Sequence, residues 1–238
     1  MLPSGPGPIP RGLMDFQAIR LSLALATLTS GILLVLGMPL AYWIRFSKVR
    51  GLFLLEALVA LPLVLPPTVL GYYILALISP RSPLGKGYEA LTGARLAFSF
   101  QGLLLGSVVY SLPFAVQPFV AAFRSIDTSL IEASWTLGVS RPRTFFRLIA
   151  PLSWSGIVTG LVLSFAHTLG EFGLVLMVGA NLPGVTRTIS IAIYDEVQAL
   201  DYQTAGETAL FLLAVSFVVL AVVYSLKGRA SAAWPLSS

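Results

Sequence analysis

Inside an otherwise apolar run, Ser164, His167, Thr168 and Glu171 recur at offsets of three and four residues. On a helix that spacing puts all four on one side. A carboxyl and an imidazole so placed have the parts of a proton relay. The same hydroxyls and carboxyl have equally the parts of a hydrogen-bonded brace beside Gly170 and Gly173. An ionisable group within an apolar run is expensive and marks a side turned to protein or water. A bare carboxylate in a low dielectric would also repel any anion passing it, which favours a compensated, bracing or gating role for Glu171. His167 is the single histidine and reads as a satisfied interior side chain. With no cysteine in the chain, there is neither thiolate metal site, disulfide nor cysteine nucleophile, and no metal site is expected.

The second constellation is Leu61 to Thr68, where Pro62, Pro66 and Pro67 fall within six positions. Proline removes an amide donor and clashes with the preceding turn, so a helix here must break. Breaks at such depth line cavities, because freed carbonyls and amides need polar company. An inert kink is the plainer alternative. Upstream, Glu56 reads as a carboxylate near a helix start, close to Arg50, favoured by the helix dipole.

These groups are held by elements that composition restricts to a membrane setting. The chain has 238 residues, 56% hydrophobic and 11% charged, with a mean hydropathy of +0.87. That is about half the charge a water-facing fold of this size carries, which argues against a soluble enzyme. The net charge of +5 is a matter of membrane topology rather than of nucleic acid. Residues 1–20 read as a flexible Pro/Gly-rich lead, 21–226 as a single transmembrane domain and 227–238 as a tail. Five uncharged or nearly uncharged runs follow the lead: 21–44, 52–79, 101–123, 155–180 and 204–226. The first would be about 36 Å long as a helix, against a hydrocarbon core of about 30 Å. It is too long for a signal-peptide core. Spans without strand-like alternation must be helical, so the fold class is all-α, a polytopic membrane bundle of about five helices. Gly102/Gly106 and Gly156/Gly160 have the spacing that permits close helix approach.

The loop 45–51, the loop 124–154 and the C-terminus together carry nine basic residues against Asp127 and Glu132. The other segments balance six basic residues with six acids. The positive-inside rule then predicts a multi-pass membrane protein with the N-terminus outside and the C-terminus inside. Residues 124–154 have the punctuation of two short helices. Ser129 and Glu132 have capping-box spacing, Gly138 supplies a stop, and Ser140 before Arg141 and Pro142 supplies a second start.

Glu132-Ala133-Ser134, Gly138 four residues after Ser134, then Ile149 and Pro151 resemble the EAA signature of ABC importer permeases. Ser134 stands for the third alanine and Ala150 for the leucine before proline. More narrowly, Leu61 to Leu75 and Leu169 to Ser190 resemble motifs of the molybdate (ModB) type, with Val185 where glutamate is usual. The resemblance implies the type I ABC importer transmembrane fold, with Glu132, Ala133, Ser134, Gly138, Arg141 and Pro151 in a loop that couples to a separate ATPase. It also implies a pathway or gate, for which Pro62, Pro66, Pro67, Thr68, Ser164, Thr168, Gly170 and Glu171 are the candidates. The implied partners are a second copy of the chain, two ATP-binding-cassette subunits holding ATP and Mg, an extracytoplasmic oxyanion-binding protein, and membrane lipid.

No Walker A pattern occurs, so the chain is expected to be non-catalytic and to work with the ATPase subunit. No Lys or Arg lies inside any predicted span, which predicts a low-affinity pore with substrate selected elsewhere. Import of molybdate by alternating access is the resulting expectation. Tungstate, sulfate or thiosulfate permeases stay open, as does a proton-coupled secondary transporter using Glu171 and His167.

Overall fold

The computed structural model describes residues 14–232, so residues 1–13 of the expected lead and 233–238 of the expected tail lie outside the described residues. All regular structure among the described residues is helical. The first helix, α1 (Phe16–Phe46), starts five residues before the expected span, because the Asp15 carboxylate accepts the Ala18 amide at 3.0 Å and caps it. At the other end, α12 (Tyr202–Ala232) runs beyond Leu226 into the expected tail.

Among the described residues, three helices are long and apolar enough to cross a membrane: α1, α5 (Phe100–Arg124) and α12 over Tyr202–Ala221. Two further spans are broken. Helix α2 (Leu52–Val64) meets α3 (Pro67–Ile78) at a bend of 113°. The chain through α7 (Arg141–Thr144) and α8 (Ala150–Leu152) meets α9 (Trp154–Leu169) at 75°. Counting each bent pair once gives up to five spans among the described residues, the number expected, although the second pair begins at Arg141 within the expected loop and not at 155. Short helices α4 (Pro83–Thr92), α6 (Thr128–Thr136), α10 (Gly173–Gly179) and α11 (Ile189–Gln198) complete the chain.

The expected fourth span, 155–180, is not one helix. It stops at Leu169, and Gly170 to Phe172 turn the chain before α10 begins. Glu171 therefore sits at a break rather than in mid-helix. The α2–α3 break falls where the prolines put it. Leu65 and Pro66, each followed by proline, have ψ of 137°, the extended geometry that a following proline imposes. Pro67 then opens α3.

The centre of the bundle is the mutual packing of α1, α5 and α9. Lipid offers no hydrophobic drive between helices, so close contact has to come from small residues. A Cβ at Gly160 would lie 2.6 Å from the Phe119 ring and 2.8 Å from the Ala115 carbonyl, so only glycine lets α9 seat on α5 there. Around this contact Leu33, Ala115, Phe119 and Phe123 are fully buried. The same cluster takes in Ile126, Ile131 and Ile149 from the 124–154 segment. The loop's base is thus part of the bundle's core.

Candidate functional site

The 124–154 segment is built from local signals. Asp127 rather than Ser129 starts α6: its carboxylate accepts the Ser129 amide at 2.9 Å. This bond holds the Asp127 carboxyl below the usual carboxylate range. The expected Ser129–Glu132 capping box does not form, because the helix is capped at Asp127 and begins two residues earlier than a Ser129 cap would start it. Its end is a Schellman motif. Gly138, at φ +76°, donates its amide to the Trp135 carbonyl, and Val139 donates to Ser134. Ser140 and Pro142 then open α7.

The Ser134 hydroxyl donates to the Ile131 carbonyl at 2.8 Å and lies 3.0 Å from Thr144 Oγ1. It thus ties α6 to α7. Arg141 stacks over Trp135 at 5.5 Å. Between Arg141 and Pro151, the stretch Phe145–Ile149 is a π-helix. Phe145 packs edge-on against Phe123 of α5 and Tyr42 of α1. Glu132, Ala133, Gly138, Arg141 and Pro151 are exposed. At the tip, Leu137 is 83% exposed. The segment thus combines buried roots with an exposed apolar tip.

The pathway candidates fall into two groups. Ser164, Thr168 and Glu171 are buried inside the subunit. The partners of Thr168 and Glu171 come from α5. Ser107 donates to Glu171 Oε2 at 3.3 Å, and Ser111 lies 2.8 Å from Thr168 Oγ1 and 3.0 Å from His167 Nδ1. Ser164 reaches Ser30 of α1 at 3.3 Å. His167 also stacks on Phe114 at 3.9 Å. Glu171 Oε1 is buried without a hydrogen-bond partner. The expected charge compensation is absent among the described residues, where no ion pair to Glu171 occurs.

Pro66, Thr68 and Gly170 are instead exposed, and Pro67 is partly so; Pro62 is buried within α2. The two groups meet at the breaks. A Cβ on Gly173 would lie 3.0 Å from Pro67 Cβ and 4.0 Å from Thr68 Cγ2. Gly71 similarly lets α3 approach Met177 and Leu174 of α10. The broken second span therefore packs on the broken fourth.

Sequence reasoning missed Ser107, Ser111 and Ser30, the partners of the polar row. Ser107 and Ser111 stand four apart on α5, so their own spacing of two small hydroxyl residues was the available signal. The Thr144 partner of Ser134 was also missed. Glu56 bonds Arg124 at 2.7 Å, across 68 residues of sequence, rather than Arg50.

At the other end of the bundle, Thr186 is fully buried and its hydroxyl donates to the Gly179 carbonyl at 2.6 Å. Val185, the departure noted above, is exposed at the loop tip. Arg187 donates to Asn181 Oδ1 at 2.8 Å, pairs with Asp195 at 3.3 Å and reaches Asp15 at 3.9 Å.

Residues 22–231 match the family described as "Binding-protein-dependent transport system inner membrane component". The chain is similar to the "Molybdenum transport system permease protein ModB" of Azotobacter vinelandii, 46% identical over 89% of this chain and 93% of that one. The protein of the same name from Escherichia coli (strain K12) is 36% identical over 88% of this chain and 90% of its own length. Among solved structures, a bacterial alginate ABC transporter in complex with a pentasaccharide-bound periplasmic protein superposes with a TM-score of 0.71. It is 21% identical, covering 92% of this chain and 80% of that one. The fold is accordingly that of a type I ABC importer transmembrane subunit, and the chain belongs to the binding-protein-dependent transport system inner membrane components.

Proposed function

We propose that the chain is the permease of an ATP-driven importer that moves molybdate across the cytoplasmic membrane by alternating access. The observation that carries this reading is the 124–154 segment, an exposed two-helix tip whose base residues Ile131 and Ile149 belong to the bundle's core. A force on that tip is transmitted directly to α1, α5 and α9, because packed cores are bistable rather than soft. A separate ATPase subunit, binding ATP and Mg, supplies the force at Glu132, Ala133, Ser134, Gly138, Arg141 and Pro151.

The substrate assignment follows the relatives' molybdenum specificity. Tungstate, sulfate and thiosulfate share the tetrahedral shape and double charge and would meet the same uncharged spans. Five spans are few to enclose a pathway, so two copies related by a two-fold axis form it. The exposed break residues Pro66, Pro67, Thr68 and Gly170 face that shared path, while Ser164, Thr168 and Glu171 hold the α5–α9 wall behind it. An extracytoplasmic binding protein delivers the oxyanion to the outer side. Arg45, Lys48, Arg50, Arg124, Arg141, Arg143 and Arg147 belong to the inner side, which puts the N-terminus outside and the C-terminus inside.

A proton-coupled carrier would need Glu171 and His167 to exchange a proton, yet each is bonded to a different serine of α5, with no direct bond between them. The test is reconstitution with the ATPase and the loaded binding protein. Vanadate-sensitive ATP hydrolysis that drives molybdate uptake supports the importer, whereas uptake without any ATPase overturns it. Calorimetry of the binding protein with molybdate, tungstate and sulfate decides the anion.

A further inference from the structure

A cavity of about 830 Å³ opens between α1, α2 and α5, at the end of the bundle that carries the basic loops. It follows α2 from Phe53 to Ala60, stopping two residues short of Pro62, and so reaches from the rim almost to the broken segment. Its lining is apolar apart from Glu56, Gln117 and Arg124. Arg124 Nη2 donates to Glu56 Oε1 at 2.7 Å, and the two side chains are 56% and 42% exposed. The bond engages one of five N–H donors on the guanidinium, which therefore stays open to a second acceptor.

Two properties of this pair bear on a departing anion. An ion pair so exposed to solvent is weak, whereas a tetrahedral dianion offers a guanidinium bidentate, doubly charged hydrogen bonding. The dianion is thus the stronger competitor for Arg124. Arg124 is also the last residue of α5, four before the first residue of the docking helix α6. A movement of the docking loop acts on the cavity's cation directly.

We infer that Arg124 is the exit subsite for the oxyanion cargo and that Glu56 is its displaceable counter-ion, restoring the closed pair once the anion has left. This rests on the importer reading above. It places the cargo's first protein cation after the uncharged spans at the inner mouth, where the anion is released.

The experiment uses the full permease–ATPase complex in proteoliposomes, with molybdate and tungstate as probes and ATPase retention measured separately. R124Q is expected to lower uptake at least tenfold while the ATPase stays bound and ATP hydrolysis continues. R124K, which keeps the charge, is expected to recover a large part of uptake. E56Q leaves the guanidinium without its competitor, so oxyanion preloaded on the release side is expected to inhibit at a several-fold lower concentration. Wild-type uptake by R124Q, loss of the ATPase from R124Q, or an unchanged inhibition curve for E56Q would each overturn the subsite. If the wild-type complex hydrolyses ATP but carries neither probe, the oxyanion reading itself falls and the subsite with it.

Discussion

The Ser134 hydroxyl and Thr144 Oγ1 stand 3.0 Å apart and join the two short helices of the docking segment. Serine here replaces the alanine usual at this point of the motif. The replacement supplies a hydrogen bond that alanine lacks, and it ties α6 to α7.

Ser134→Ala and Thr144→Val should each weaken the ATPase complex by up to about fivefold, the effect of one hydrogen bond worth about 1 kcal/mol. Binding isotherms for the two single variants and the double variant check this. The double variant should lose little more than either alone, since one bond is shared.

Gly138 holds φ +76° with open space around it. Gly138→Leu therefore strains the backbone by roughly 1–2 kcal/mol and places a bulky side chain at the exposed tip. Normal membrane insertion with ATPase binding reduced tenfold or more is the expected result. Assembly and uptake at wild-type levels would contradict the docking role.

Gly173→Val inserts atoms between the two broken spans, where even a bare Cβ would sit 3.0 Å from Pro67. Overpacking of this kind costs roughly 1–3 kcal/mol, and here it pushes the α3 start away from α10. Uptake should fall about tenfold while the ATPase remains bound. Cysteine pairs across the two breaks would report the changed separation.

Glu171→Gln keeps an oxygen that accepts from Ser107 but cannot carry a proton through a charge cycle. Uptake within about threefold of wild type, with an unaltered pH profile, is the expected outcome for a brace. Glu171→Leu leaves Ser107 unpaired in the interior and should be the more damaging, at roughly 1–3 kcal/mol. Loss of a pH-dependent step in the Gln variant would point to proton relay instead.

Much of the architecture is local in origin and was readable from sequence. The proline triplet at 62–67 breaks its helix because proline acts on its own neighbours, and Gly138 ends α6 for the same kind of reason. Hydropathy fixes the number of spans because lipid leaves few options for backbone amides. The break at Gly170 to Phe172 was hidden, since the run continues apolar on both sides of it and two glycines do not by themselves stop a helix. The cap at Asp127 was missed in favour of Ser129, two acceptors competing two residues apart.

At the candidate site, the row Ser164, His167, Thr168 and Glu171 was visible from its period alone. Its partners Ser107 and Ser111 were not, because pairing between helices 56 to 64 residues apart depends on how α5 rotates against α9. The Glu56–Arg124 bond escaped for the same reason, with Arg50 nearer in sequence and Arg124 nearer in space.

Arg187 gathers Asp15, Asn181 and Asp195 at the opposite end from the docking segment. The head of the first helix, the turn after the fourth span and α11 are thereby spliced by one guanidinium. An interruption of the chain at the exposed Pro183–Gly184 tip would leave that splice intact. This rim is thus a clasp that keeps its halves joined without an unbroken backbone between them.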